Sequence, residues 1–435
     1  MTRSMAPVDE QMDVLMRGVD YGDEGLRRQM ERELRALVEQ DRPLRVYFGI
    51  DPTATSLTLG HTVPLRKLRQ FQELGHHAIF LIGDYTALIG DPSDKNKLRP
   101  LLSTEDIKAN EQTYFEQAAS VLDPRRTELR HNSEWLGKLS FPDIISLMSK
   151  FTVAEMLRRD NFRKRFADSD AVFLHEFLYA LMQGYDAYAL ECDVQVGGTE
   201  QLFNLMAGRK IQDAAGQKPH VPVTMPILVG LDGKARMSKS AGNHIGVSDS
   251  PDEQYGKTMS LPDDVLGDFF TLATNLPTAE VGHIIAGLKD GTRDPMHTKK
   301  YLARTIVSEF WGEAAAQAAE EHFERRVQGA ARRTIDDFAP VRAEPGERLD
   351  DLLVRIRAVP SKRKLRNLIT QRAVRRVLNV WLGQRSSTGV VEEGEEALRP
   401  GEQMVLVEIR DLSAPAEDGA LYEIGKRRTI KIVRS

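Results

Sequence analysis

Two short stretches of this 435-residue chain hold residues able to handle a polyanion, and a third holds a polar stripe able to grip a small ligand. The first is Thr58-Leu59-Gly60-His61, where a β-like run over 44–50 turns through Asp51-Pro52-Thr53 into a helical repeat. Backbone N–H groups and the positive end of the dipole at a helix start favour phosphate. The second is Arg236-Met237-Ser238-Lys239-Ser240, bounded by Gly233 and Gly242. A mobile cationic loop can close on a triphosphate and stabilise charge as it develops, without a covalent nucleophile. Taken singly, Gly-His at a helix start is an ordinary cap and a basic glycine-flanked loop is a solvated turn. The third stretch is the 172–191 helix, where Tyr179, Gln183 and Asp186 fall at i, i+4 and i+7 on one face. Phe173, Leu178, Leu181, Met182 and Leu190 make its other positions apolar, so the helix is expected to be buried on several sides. A buried aspartate is costly unless it is bonded. The stripe is therefore either a structural hydrogen-bond network or the wall of a polar ligand pocket.

The elements that must position these groups follow from periodicity. Strand 44–50, a helix from about His61 with Val63, Leu65, Leu68, Phe71 and Leu74 in helical register, and strand 77–83 form a βαβ unit. That predicts an α/β fold with a parallel sheet and helices on its faces. Ser103-Thr104-Glu105-Asp106 has capping-box spacing before a polar helix reaching Leu122, and 221–231 reads as a core strand. The first forty residues read as charged helix, and 250–335 as helices broken at Pro262 and Pro277. The Pro- and Gly-bearing stretch 336–347 reads as a linker. Beyond it the pattern gives two basic helices, a turn-rich segment and strands 404–409 and 429–433. His76 and His77 end a helix and are expected to cap carbonyls or face solvent, and Cys192 to fill space beside the 172–191 helix.

Composition bounds the rest. The length suggests about three domains. With 41 % hydrophobic and 29 % charged residues the chain is an ordinary globular one, and a single cysteine excludes an internal disulfide or a Cys-based zinc site. No run of about 18 apolar residues is present to span a membrane, and no secretory signal opens the chain, so a cytoplasmic location is expected. The net charge of −4 hides an asymmetry: residues 351–435 carry 17 lysines and arginines against 11 acids, a net of +6, leaving −10 for 1–350. An acidic body with a basic tail suggests a polyanion docked at one end.

Together the first two stretches resemble the paired signatures of class I aminoacyl-tRNA synthetases, His-x-Gly-His and Lys-Met-Ser-Lys-Ser. YFGIDPTATSLTLGH, then LIGDYTALIGDPS, ALMQGYD and QVGGTEQ, resemble bacterial tyrosyl-tRNA synthetases in order and spacing over 44 to about 245. The tail from Arg348 resembles their S4-like RNA-binding domain. The resemblance implies a Rossmann-like catalytic domain with an inserted helical dimerisation region over 1–245, an α-helical domain over 246–335 and a small α+β S4-like domain over 348–435. It implies that Asp91, Tyr179 and Gln183 surround the ammonium group of tyrosine, that Tyr47 and Asp186 bond its phenolic hydroxyl, and that Gln201 lies near its carboxylate. For ATP it implies Gly49, Asp51, Thr53, Gly60, His61, Gly198, Glu200, Arg236 and Lys239, with Thr53, Thr58, His61, Arg236 and Lys239 in catalysis. Lys95 and Arg99 match positions near pyrophosphate or the tRNA end.

The implied reaction is adenylation of L-tyrosine by ATP, with Mg2+ accompanying the nucleotide and no protein metal site, then transfer to tRNA(Tyr) by a homodimer. In the tail, the stretch 362–376 holds Lys362, Arg363, Lys364, Arg366, Arg372, Arg375 and Arg376 and no acid, and a helix capped by Ser361 is expected to present them to phosphates. Three positions depart from the family pattern: Thr58 replaces a histidine, Glu200 an aspartate and Arg236 a lysine. The alternatives are a tryptophan enzyme of the same class and a non-catalytic paralogue that binds RNA or tyrosine.

Overall fold

The computed structural model describes residues 5–52, 56–92, 113–332, 340–343, 348–355, 361, 374–381, 402–408, 421–424 and 428–434. They fall in two compact units, Met1–Phe323 and Glu324–Ser435.

The first unit is built on a five-stranded parallel sheet of β1 (Arg45–Ile50), β2 (His77–Ile82), β3 (Thr127–His131), β4 (Val194–Gly198) and β5 (Val221–Met225), in the order β3-β2-β1-β4-β5. β1 pairs with β2 from Arg45↔His77 to Ile50↔Ile82, and with β4 through Tyr47↔Gln195. Val46, Phe80, Val196 and Val223 put the sheet into the main core, as expected for parallel strands covered on both faces. The strand order reverses at β1, so a crevice opens beyond the carboxyl ends of β1 and β4, where such sheets hold their ligands.

The helix Leu59–Glu73 follows β1 and is buried on nearly all sides. Its polar residues are therefore paired: Arg66 bonds Glu309 of the helix Pro295–Trp311, and Lys67 Nζ donates to the carbonyls of Val14, Leu15 and Arg17 at 3.1, 3.0 and 2.9 Å. The acceptors on Val14 and Leu15 are end carbonyls of the helix Val8–Leu15, so the ammonium group closes that helix.

Several expectations are corrected. The N-terminal helical stretch is two helices, Val8–Leu15 and Glu24–Val38, parted where Gly18 and Gly22 take positive φ. The strand expected over 221–231 ends at Met225, before Pro226. His76 does not face solvent: it is buried, its Nδ1 accepts from Leu44 N at 3.2 Å and its Nε2 meets Gln11 Oε1 at 3.1 Å. His77 opens β2 and bonds Glu128 at 2.5 Å. Cys192 is buried with Tyr47, Ala187 and Leu190. The capping box at Ser103 lies outside the described residues.

Helices Pro251–Met259, Leu266–Ala273, Thr278–Lys289, Pro295–Trp311 and Glu313–Arg332 fill the region expected to be helical. Ile245, Val247, Phe269, Phe270 and Ile306 share one core with Val46, Leu68 and Phe80, so packing is continuous across residue 245.

The second unit has a five-stranded sheet of β6 (Pro340–Ala343), β7 (Val374–Trp381), β8 (Glu402–Glu408), β9 (Leu421–Ile424) and β10 (Arg428–Arg434), in the order β6-β10-β9-β7-β8. Only β6 and β10 run parallel among its paired strands. A helix Leu349–Arg355 buries Leu349, Leu352 and Leu353. Two expectations change here. The stretch read as a linker contains β6, paired with β10. Arg375 and Arg376 belong to a strand and not to a basic helix, since Val374, Val377, Val380 and Trp381 favour extended chain. Lys362, Arg363, Lys364, Arg366 and Arg372 lie outside the described residues.

Candidate active site

A cavity of about 250 Å³ occupies the crevice, walled by β1, β4, the start of the Leu59–Glu73 helix and the helix Leu174–Ala189. The last helix is the one expected over 172–191. Its first turn is fixed by Glu176, which accepts from Phe173 N at 2.9 Å and pairs with the buried Arg165 at 2.5 and 2.9 Å. Gly184 lets it approach the helix Leu202–Ala214 closely; a Cβ there would sit 2.7 Å from Ile211 Cδ1 and 3.0 Å from Gly208 N.

The polar stripe lines the cavity and is also a network. Asp186 is buried, and its two oxygens accept from Trp135 Nε1 at 2.7 Å and Asn132 Nδ2 at 3.3 Å. Asn132 Nδ2 also reaches Thr86 Oγ1 at 3.0 Å, Thr86 donates to Asp51 Oδ1 at 2.7 Å, and Tyr179 donates to Asp51 Oδ2 at 2.9 Å. Burial pushes Asp186 well above the usual carboxylate range, while the Trp135 and Asn132 donors pull it back. Burial likewise raises the Tyr47 and Tyr179 phenols well above their ordinary value, with Asp51 adding to the rise at Tyr179. Tyr47 is fully buried, its hydroxyl 3.5 Å from Gln183 O.

This joins residues the resemblance had assigned to different substrates. Tyr179 bonds Asp51 of the implied nucleotide set. Asp91 sits apart from that bond: its Oδ2 accepts from Gln201 Nε2 at 2.6 Å and its Oδ1 lies 3.4 Å from Arg159 Nη2. Asn204 Nδ2 in turn donates to Gln201 Oε1 at 2.8 Å.

At the helix start, the Thr58 N–H donates to His61 Nδ1 at 3.1 Å, and Thr58 Oγ1 is 2.9 Å from the same nitrogen. A nitrogen that accepts a backbone N–H carries no proton, so the neutral ring is protonated on Nε2 and the Thr58 hydroxyl donates. Burial, then the charges of Lys239 and Arg236, lower His61 to about 4 and keep it neutral near pH 7. Thr58 itself is buried and bonds the histidine beside it. A Cβ on Gly49 or Gly60 would make only ordinary contacts, which leaves cavity space over both, whereas one on Gly198 would collide with the Glu200 carboxylate.

The loop 232–243 was expected to be mobile. Here it is anchored. Asn243 donates to Asp232 Oδ2 at 2.8 Å and to Arg236 O at 3.1 Å, Ser238 N donates to Asn243 Oδ1 at 2.9 Å, and Val229 bridges Arg236. Met237 packs into the core, Lys239 donates to Ser56 O, and Arg236 is exposed. Burial lowers Lys239.

Thr53, Lys95 and Arg99 lie outside the described residues. Thr86, Asn132, Trp135 and Arg159 were missed. Thr86 stands inside the LIGDYTALIGDPS motif and was open to notice; Asn132 and Trp135 follow β3, a strand whose short charged run, TELRH, gives no apolar alternation. Among the described residues no group of three or more His, Cys, Asp or Glu is placed to hold a metal ion, and no helix is long and apolar enough to cross a membrane.

A parallel sheet that reverses at β1, with a histidine bonded to Thr58 at the helix start after that strand and a Lys-Ser loop after β5, is the arrangement of an amino-acid-activating enzyme of class I synthetase type. The chain belongs to the family described as tRNA synthetases class I (W and Y), whose model matches residues 39–328. Within that family the chain is 43 % identical over 437 residues to the tyrosine–tRNA ligase of Symbiobacterium thermophilum, covering 100 % of both chains. It is 47 % identical over 345 residues to that of Thermotoga maritima, covering 79 % of this chain and 85 % of the relative. Among solved structures, a C-terminally truncated mitochondrial tyrosyl-tRNA synthetase of Aspergillus nidulans superimposes with a TM-score of 0.59 at 24 % identity, over 73 % of this chain and 93 % of that one. The Archaeoglobus fulgidus tyrosyl-tRNA synthetase, solved with L-tyrosine, gives 0.57 at 23 % identity, over 72 % and 100 %. These two structures speak for the fold.

Proposed function

We propose that this chain is a tyrosine–tRNA ligase, which activates L-tyrosine with ATP and passes the tyrosyl group to the 3′ end of tRNA(Tyr). The observation that carries the reading is the network running from Trp135 through Asp186, Asn132, Thr86 and Asp51 to Tyr179 along one wall of the cavity. It offers Asp186 to a phenolic hydroxyl beside the buried Tyr47. Phenylalanine brings no hydroxyl to the acceptor capacity that Trp135 and Asn132 leave on Asp186, and tryptophan brings a larger ring against it.

In the first step a carboxylate oxygen of tyrosine bonds to the α-phosphorus of ATP and the bond to the bridging oxygen breaks, so that pyrophosphate leaves with the electron pair. In the second, a ribose hydroxyl of the tRNA end attacks the acyl carbon and AMP leaves. Neither step needs a side-chain nucleophile, and positioning and charge stabilisation do the work. His61 supplies a neutral Nε2–H donor, and Lys239 and Arg236 supply positive charge to the phosphates. Glu200 is assigned to the ribose, Gly49, Gly60 and Gly198 to the nucleotide, Asp91 and Gln183 to the substrate ammonium and Gln201 to its carboxylate. Mg2+ arrives with the nucleotide as part of the substrate.

The exposed apolar side chains Phe141, Val153 and Leu174, at 73, 66 and 83 % exposure, support a homodimer formed through this region. The basic tail supports phosphate contact with tRNA, and the cytoplasm is the assigned location. Amino-acid-dependent ATP–pyrophosphate exchange over the twenty amino acids tests the reading. Exchange with L-tyrosine alone is expected. Exchange driven by tryptophan would move the assignment within the family, and none at all would leave a binding paralogue. Removing 348–435 is expected to spare exchange and weaken tRNA charging.

A further inference from the structure

Between Thr152 and Ala167 the chain carries Arg158, Arg159, Arg163, Lys164 and Arg165, a run that reads as a solvated basic face. Two members are buried: Arg165, which pairs with Glu176, and Arg159. Arg159 is only 6 % exposed, and its guanidinium lies over the rings of Phe162 and Phe203 at 5.4 and 5.6 Å. A cation enclosed by aromatic faces is held in place by them, yet still needs an anion nearby to offset its desolvation. Asp91 is one such anion: its Oδ1 is 3.4 Å from Nη2. Asp91 Oδ2 is taken from the other side by Gln201 Nε2 at 2.6 Å. Asp91 lines the cavity, and a donor on each of its oxygens holds the plane of the carboxylate there.

We propose that Arg159 is a positioning residue for the α-ammonium group of the amino-acid substrate, acting through Asp91. This rests on the assignment of Asp91 to that ammonium group. The guanidinium, immobilised by two rings, holds the Asp91 carboxylate at the cavity wall before substrate arrives. The ammonium then meets an oriented acceptor and need not order one.

Three ligands test this on the full chain by calorimetry: L-tyrosine, tyramine, which keeps the ammonium and lacks the carboxylate, and 3-(4-hydroxyphenyl)propionate, which does the reverse. Arg159→Met is expected to weaken tyrosine and tyramine by about tenfold and to leave the propionate within about twofold, since only the first two use Asp91. Arg159→Lys, which keeps the charge and loses the planar fork, is expected to recover part of the loss. In exchange kinetics the KM for tyrosine rises while the KM for ATP stays. Equal weakening of all three ligands would reduce Arg159 to a structural role, and unchanged or tighter tyramine binding would overturn the proposal. Asp91→Asn separates the two readings. If it too spares tyramine, the assignment of Asp91 fails; if it weakens tyramine while Arg159→Met does not, only the role of Arg159 fails.

Discussion

Around Asp186 the polar side chains hang from helices and strand ends and bond one another: Trp135 to Asp186, Asn132 to Thr86, Tyr179 to Asp51. Around His61 the cations come from a loop, and they or their supports bond main chain: Lys239 meets a backbone carbonyl, and the loop is held by Asn243 and Asp232. The first region resembles an interior and the second an anchored surface loop. Telling a phenol from a bare ring needs acceptors that cannot relax, because discrimination comes from leaving a buried group unpaired. Stabilising a triphosphate needs charge of the right sign within reach, which several side chains can supply. All three departures from the family pattern, Thr58, Glu200 and Arg236, stand at positions the resemblance gives to the nucleotide.

The sharpest break of this contrast is Asp186→Ala, which strands the Trp135 and Asn132 donors. It is expected to lower kcat/KM for tyrosine by roughly three orders of magnitude with the KM for ATP unchanged. A parallel loss of ATP affinity would mean that the network serves both substrates.

Acid provides the next test. Burial lowers His61 and His76 to about 4 and His220 to about 3. An unfolded histidine takes its proton near pH 6.5, so below that the unfolded chain binds protons the folded one refuses. Stability is therefore complete above about pH 6.5 and falls as pH drops toward 4, by up to ~3 kcal/mol for each histidine. Urea midpoints should decline from about pH 6.5 downward, and less steeply in His76→Gln. A midpoint level to about pH 5 contradicts the burial of these rings.

On the nucleotide side, Lys239→Ala is expected to lower exchange kcat by about a hundredfold with the KM for tyrosine preserved. Smallest is Thr58→Val, which removes the hydroxyl donor to His61 Nδ1 and leaves the backbone one. A loss of about fivefold in kcat is expected, restored by Thr58→Ser; a hundredfold loss would place Thr58 on the substrate.

The sheet was legible because β1 and β2 are apolar runs flanking an amphipathic helix, and the stripe Tyr179, Gln183, Asp186 because a helix repeats every 3.6 residues. Partners distant in sequence were not. Asp186 meets Trp135 and Asn132 across more than fifty residues, through a strand whose TELRH run hides its period. Arg159 stood in a run of like charges with nothing local to mark it as buried. The helix expected at Arg375 and Arg376 failed because the helix propensity of arginine is overridden by tertiary context, and the valines beside them pair in the sheet.

The pair of buried Arg66 and half-buried Glu309 has a consequence for inheritance. It ties the histidine-bearing helix to a helix some two hundred and forty residues downstream, through one continuous core. The two cannot be exchanged as separate cassettes. A recombinant joined at residue 245 would carry the motif helix without the acid that answers its arginine and without Phe269 and Phe270 beneath it. The nucleotide fold and the helical region must therefore change together.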